Sequence, residues 1–207
     1  MLKKNKPLII FGGGDHSLIV ISAAKLTGLP IHGILDKKLQ KKTVLCGIPV
    51  LGNDRWLNDI MIKDFQYHVA ISDITIRSRL ISKMNTYDSN FINIFHPTAN
   101  ISSDVNIGLG CFIGMGAIIN FDSKIYDNII INTGAVIEHG CIIGSNSHIA
   151  PGVVLCKNVN CGKNVFIGSN ASISPNISIG DNSIIGAGSV VIKNVLANST
   201  VKGNPAK

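Results

Sequence analysis

At 207 residues and 45% hydrophobic, the chain has room for one or two domains with a substantial core, and its formal net charge of +7 makes it basic. One Trp and three Tyr, with no basic helix interleaved with aromatics, argue against nucleic-acid binding. No apolar stretch approaches the ~20 residues of a membrane span, and the run Leu8 to Phe11 stops at Gly12, too short for an export signal. The expectation is a cytoplasmic protein without membrane insertion.

The charge is uneven along the chain. The first 90 residues hold 13 of the 19 Lys and Arg and 7 of the 12 acids, a balance of +6 that leaves +1 for the remainder. Such a basic first part suits an anionic ligand such as a nucleotide diphosphate, although lysines like Lys37, Lys38, Lys41 and Lys42 also serve simply as a solvated loop.

Leu8 to Phe11 predicts a strand that runs into Gly12-Gly13-Gly14-Asp15-His16-Ser17 and then a helix ending near Gly28. A strand, glycine turn and helix start present backbone N–H groups and a positive helix end to a phosphate. A second strand, His32 to Leu35, ends at Asp36, where a carboxylate either receives ribose or base hydrogen bonds or simply shapes a turn. Strands over Tyr67 to Ile71 and Phe91 to Phe95 flank a helix over Ile74 to Met84, so residues 1–92 read as a small Rossmann-like α/β domain. Asp15 and Ser17 break the dinucleotide fingerprint, which argues against NAD.

From Phe95 the pattern changes. One apolar residue recurs every sixth position through Ile101, Ile107, Ile113 and onward to Ile185 and Val191, with Cys161 the single departure from a large hydrocarbon. A second column four places later stays small or β-branched, from Ala99 and Val105 through Ala135, Cys141 and Ser147 to Val195. Helices repeat near 3.6 residues and strands near 2, whereas a fixed period of six with Gly, Asn, Asp and Ser after the apolar residue predicts a stacked parallel β-helix over residues 93–207. Cys111, Cys141 and Cys161 fall on the inward columns, so the five cysteines read as reduced packing residues.

His139 takes the third place of the unit Ile137-Glu138-His139-Gly140-Cys141-Ile142 and so projects outward from a corner; His148, last in its unit, also faces outward. Exposed solenoid corners are usually polar for solubility alone. Here Glu138, the one glutamate in the chain, adjoins the imidazole.

The segments Ile10 to His16, Asn132 to His139, His148 to Gly152 and Gly203 to Lys207 are similar to a bacterial family, and residues 1–207 resemble it throughout. It is the family of sugar-nucleotide acetyltransferases that includes sialic acid O-acetyltransferases and the N-acetyltransferases of UDP- or GDP-linked 4-amino-4,6-dideoxy sugars of surface glycans such as O-antigen or capsule. The resemblance implies a left-handed β-helix, a homotrimer, and acetyl-CoA as cosubstrate in the groove between two prisms, with no metal. By similarity His139 corresponds to the general base, with Asn132, Glu138 and the Gly140 position as its supporting candidates. His148 and the backbone at Ser169 and Ala187 match places that meet acetyl-CoA, and Gly14, Asp15, His16, Asp36, Lys37 and Ser72 match the sugar-nucleotide pocket.

Two departures stand out: relatives often carry a carboxylate where this chain has Gly140, and a glycine where it has Asp15. Gly140→Asp is therefore expected to raise the basicity of the imidazole and shift the acidic limb of the pH profile upward. Neighbouring strand side chains point to opposite faces, so a backbone carbonyl or a second subunit is the expected partner of His139, and Glu138 reaches it only if the corner bends.

The function expected is transfer of an acetyl group to the amine of a nucleotide-linked 4-amino sugar, with O-acetylation of sialic acid or a related sugar as the alternative. A solenoid carbonic anhydrase would need three imidazoles converging on zinc, and only His96, His139 and His148 lie in the repeats. A purely structural or ice-binding solenoid should show a ladder of outward Thr, and the repeats from Phe95 to Val195 hold only Thr98 and Thr133.

Overall fold

In a computed structural model the chain forms two units, Met1–Phe95 and His96–Lys207, and the structure describes residues 6–53, 55, 62–87 and 89–207. In the first unit the elements run β1 (Leu8–Phe11), α1 (Asp15–Leu26), β2 (Ile31–Leu35), β3 (Val44–Leu45), β4 (Ile48–Gly52), β5 (Gln66–Val69) and α2 (Ile74–Asn85). The sheet order is β3-β4-β2-β1-β5, parallel throughout except for the β3–β4 hairpin. β1 lies centrally and buries all four residues, the continuous apolar run expected of a strand covered on both faces. Phe11, Tyr67, Ile81, Met84 and Phe91 close one core cluster.

The hairpin β3–β4 fills a stretch for which the sequence pattern predicted nothing definite. The expected strand Phe91 to Phe95 is reduced to a single bridge between Tyr67 and Phe91 and a short strand Ile94–Phe95. The reason is local: the Ile92 carbonyl accepts from His68 Nδ1 at 3.1 Å, which takes up an acceptor that a longer ladder would use.

The second unit is a parallel β-solenoid. Two-residue strands recur every six residues and pair with the strand eighteen residues on, as Ile118–Ile119 with Val136–Ile137 and that pair with Val154–Leu155. Three parallel sheets result, so one coil has three strands and three corners. From Ile113 to Val191 every member of the six-residue column is 2% exposed or less. From Cys111 on the second column is buried too, and three of its serines donate to a carbonyl of the next coil, Ser123 to Glu138, Ser147 to Gly162 and Ser183 to Leu196, while Ser189 Oγ accepts from the Gly203 N–H.

From Gly110 to Gly188 each corner carries one residue in the left-handed region. One corner column reads Asp122, Gly140, Asn158, Asn176; another reads Gly116, Gly134, Gly152, Asn170, Gly188. In the third, Asn146, Asn164, Asn182 and Asn198 also bond side chain to side chain, at 2.8, 3.0 and 3.1 Å. Asn and Gly recur there because they accept positive φ most readily.

Candidate active site

Between the C-terminal ends of the parallel strands and the start of α1, the first unit holds a cavity of about 860 Å³. Its floor is the glycine turn. A Cβ on Gly12 would meet Ile71 and Ala70 at 2.7 and 2.8 Å, so the backbone there packs too closely for any side chain. Gly14, by contrast, has nothing within 4 Å and opens onto the cavity.

Asp36 organises one wall. Its Oδ2 accepts from the Gly13 N–H at 2.8 Å, and its Oδ1 accepts from the Lys38 and Leu39 N–H groups at 2.7 and 2.9 Å. Burial pushes this carboxyl up, but the three backbone donors outweigh it and hold it below its ordinary value. Asp36 therefore acts first as a turn residue that ties the Lys37–Leu39 loop to the glycine turn.

Asp15, His16, Lys37 and Ser72 also line the cavity, as do Arg79 and Lys83, which the sequence reading missed. Their spacing of four on α2 is the signal that could have found them, since it sets both cations on one helix face. Asp73 caps that helix, accepting from the Ile76 N–H at 2.8 Å.

In the solenoid the candidate residues fall on two corners. Thr133, Pro151, Ser169 and Ala187 follow one another at intervals of eighteen, linked by Gly152 N–H to Thr133, Asn170 N–H to Pro151 and Gly188 N–H to Ser169 bonds. Beside this edge sits Asn132, 8% exposed, whose Nδ2 lies 3.4 Å from His148 Nε2 and whose Oδ1 accepts from the Thr133 N–H. His148 faces outward from the prism axis as expected, yet it is buried: it is 5% exposed, stacked in register between Ile130 and Phe166, with the Phe166 ring edge-on at 5.3 Å. Apolar neighbours one coil to either side cover a position that faces away from the prism axis. Within the chain Asn132 therefore lies against His148.

His139 lies on a different corner, in line with Phe121 and Lys157. Its side chain is 53% exposed, and its Nδ1 stands 3.3 Å from Glu138 Oε2. The corner does bend Glu138 around, so the partner within the chain is a side chain rather than a backbone carbonyl. Asn120 Nδ2 donates to the other oxygen, Glu138 Oε1, at 3.2 Å. Asn120 was also missed, and counting back one eighteen-residue coil from Glu138 would have found it. Gly140 has a positive φ, +70°, as Asp122 does at the same corner one coil earlier, and a Cβ at Gly140 would meet the end of the Asn158 side chain, Oδ1, at 2.4 Å, so a side chain there requires Asn158 to swing aside. Among the described residues no group of three or more His, Cys, Asp or Glu is placed to hold a metal, and His96 instead engages Thr98 at 2.9 Å.

Residues 7–84 match the PglD N-terminal domain family, and residues 122–157 and 158–193 match the bacterial transferase hexapeptide family. Among solved structures, a His-to-Asn variant of perosamine N-acetyltransferase from Caulobacter crescentus, in complex with CoA and GDP-perosamine, is 34% identical with a TM-score of 0.93, covering 97% of this chain and 95% of that one. The chain belongs to the hexapeptide-repeat sugar-nucleotide acetyltransferases. Another structure of this kind, the acetyltransferase domain of PglB from Neisseria gonorrhoeae in complex with acetyl coenzyme A, is 28% identical with a TM-score of 0.92 and covers 99% of both chains. WeeI from Acinetobacter baumannii, at 24% identity and a TM-score of 0.90 over 97% of this chain and 98% of that one, shares the fold. A comparison with curated protein sequences found no match. No described helix is long and apolar enough to cross a membrane.

Proposed function

We propose that the enzyme transfers an acetyl group from acetyl-CoA to the amine of a nucleotide-linked 4-amino-4,6-dideoxy sugar, with His139 as general base. The observation that carries this reading is an exposed imidazole with a carboxylate at its Nδ1, on a solenoid whose relatives were crystallised with CoA and a GDP-linked amino sugar. The amine lone pair attacks the thioester carbonyl, the amine proton passes to Nε2 of His139, and the coenzyme leaves as its thiolate.

The cavity of the first unit would hold the nucleotide, with Arg79, Lys83 and Lys37 facing its diphosphate. Ser169 and Ala187 lie on one corner and His139 on another. A site using both needs a second prism, and this supports a homotrimer with acetyl-CoA between protomers. The reading sets the enzyme in the cytoplasm, on a route to a surface glycan.

The test is an acetylation assay with acetyl-CoA against GDP-, UDP- and dTDP-linked 4-amino-4,6-dideoxy sugars, products identified by mass spectrometry. Amide formation on one of them is expected. Acetylation of a sialic acid hydroxyl with no amide product would overturn the assignment.

A further inference from the structure

We propose that Asn120, one coil before Glu138, sets the tautomer of the His139 imidazole through that glutamate; the inference deepens the reading of His139 as base and rests on it. An ionised carboxylate only accepts hydrogen bonds. Glu138 Oε2 at 3.3 Å therefore keeps the imidazole proton on Nδ1 and leaves the lone pair on Nε2, the atom that must receive the proton of the attacking amine.

Glu138 is itself partly exposed, and a solvated glutamate beside a corner has rotamer freedom to lose before it orients anything. Asn120 removes that freedom. It occupies the same place one coil earlier, and its Nδ2 holds Oε1 at 3.2 Å while Oε2 faces the imidazole. The residue after the histidine cannot take this part. Gly140 has no side chain, and the space beside it is filled by Asn158, whose Nδ2 donates to Asn176 at 3.1 Å. The orienting carboxylate thus precedes the histidine in this chain and is braced from the neighbouring coil.

In the transfer step Nε2 gains the amine proton, Nδ1 keeps its own, and the imidazolium forms against the Glu138 carboxylate, which stays ionised. Asn120 and Glu138 are positioning residues: neither needs to touch the substrate.

Nitrogen-15 NMR of the full-length, histidine-labelled protein reads the tautomer directly, above the pH at which the imidazole is charged. The wild type is expected as the Nδ1–H form, Asn120→Ala as a mixture, and Glu138→Gln shifted toward Nε2–H, the form free histidine side chains prefer. With the sugar nucleotide that serves as substrate, kcat should fall roughly 10- to 100-fold in Glu138→Gln, short of the ~10⁴ lost from a buried triad carboxylate. In Asn120→Ala the loss should be about 3- to 10-fold, with both KM values held. Asn120→Asp sets like charge against Glu138 and should lower kcat further than Asn120→Ala, an order that loss of packing does not produce. An Nε2–H form in the wild type, or one tautomer unchanged across all three variants, would overturn the proposal. Normal turnover by His139→Ala would instead remove the base assignment and the catalytic half of this inference, while the NMR result still decides the tautomer.

Discussion

The two units position chemistry in opposite ways. In the solenoid a residue's surroundings follow from its place in an eighteen-residue coil: Ile119, Ile137 and Leu155 meet the same kind of core, and Asn120 reaches Glu138 because they are one coil apart. In the α/β unit nothing repeats, and the cavity is assembled from a glycine turn, one loop and one helix face brought together by strand order. A periodic scaffold makes neighbours computable from the sequence. An aperiodic one makes them depend on crossovers that the sequence only hints at.

The comparison breaks first at the corners, where a single outward side chain is held to carry the reaction. His139→Ala should lower kcat by roughly 10²- to 10⁴-fold with little change in either KM, measured by steady-state kinetics. Near-normal turnover would leave the solenoid as scaffold only.

Inside the prism, equivalence by register is sharpened by substituting stacked positions. Ile131→Ala, Ile149→Ala and Ile167→Ala, all fully buried, should each destabilise by about 2–5 kcal/mol and by similar amounts, measured by denaturant unfolding. Widely unequal losses would show that coils are not interchangeable.

The α/β unit has its own signature in pH. His68 is buried, and burial, with the nearby Arg77 charge, pushes it down to about 4, against the opposing pull of the Ile92 carbonyl. Between pH 6.5 and 4 the unfolded chain takes up a proton that the folded chain refuses, so stability falls as the pH falls through that window. The loss approaches about 3 kcal/mol. Protection of the β5 amides from hydrogen exchange should track it, and His68→Phe should flatten it whatever the variant's starting stability.

The smallest effect belongs to the corner ladder. Asn164→Ala, at φ +56°, should cost about 1–2 kcal/mol, while Asn164→Gly should cost less, in thermal unfolding.

The β-helix was legible almost in full because its two columns and its corner residues share one period. The α/β sheet was legible in its apolar strands β1 and β2, yet the β3–β4 hairpin and the shortened last strand were not, since short polar-flanked strands carry little periodic signal. Of the candidate site, His139 stood out, but its contact with Glu138 did not, because strand alternation points the two side chains apart and only the corner brings them together. Burial of His148 depended on Ile130 and Phe166, residues eighteen away on either side. Arg79 and Lys83 were hidden for a different reason. Which face of α2 meets the cavity is set by packing against the sheet, not by the helix's own sequence.

The central claim is that the nucleotide is held by the aperiodic unit and the acetyl chemistry by the periodic one. Asp36→Ala frees the Lys37–Leu39 loop from the glycine turn without touching any solenoid residue. Two-substrate kinetics on this variant should give a KM for the sugar nucleotide raised roughly 10-fold or more and a KM for acetyl-CoA within error of the wild type. An equal rise in both, or a rise in the acetyl-CoA value alone, would contradict the division.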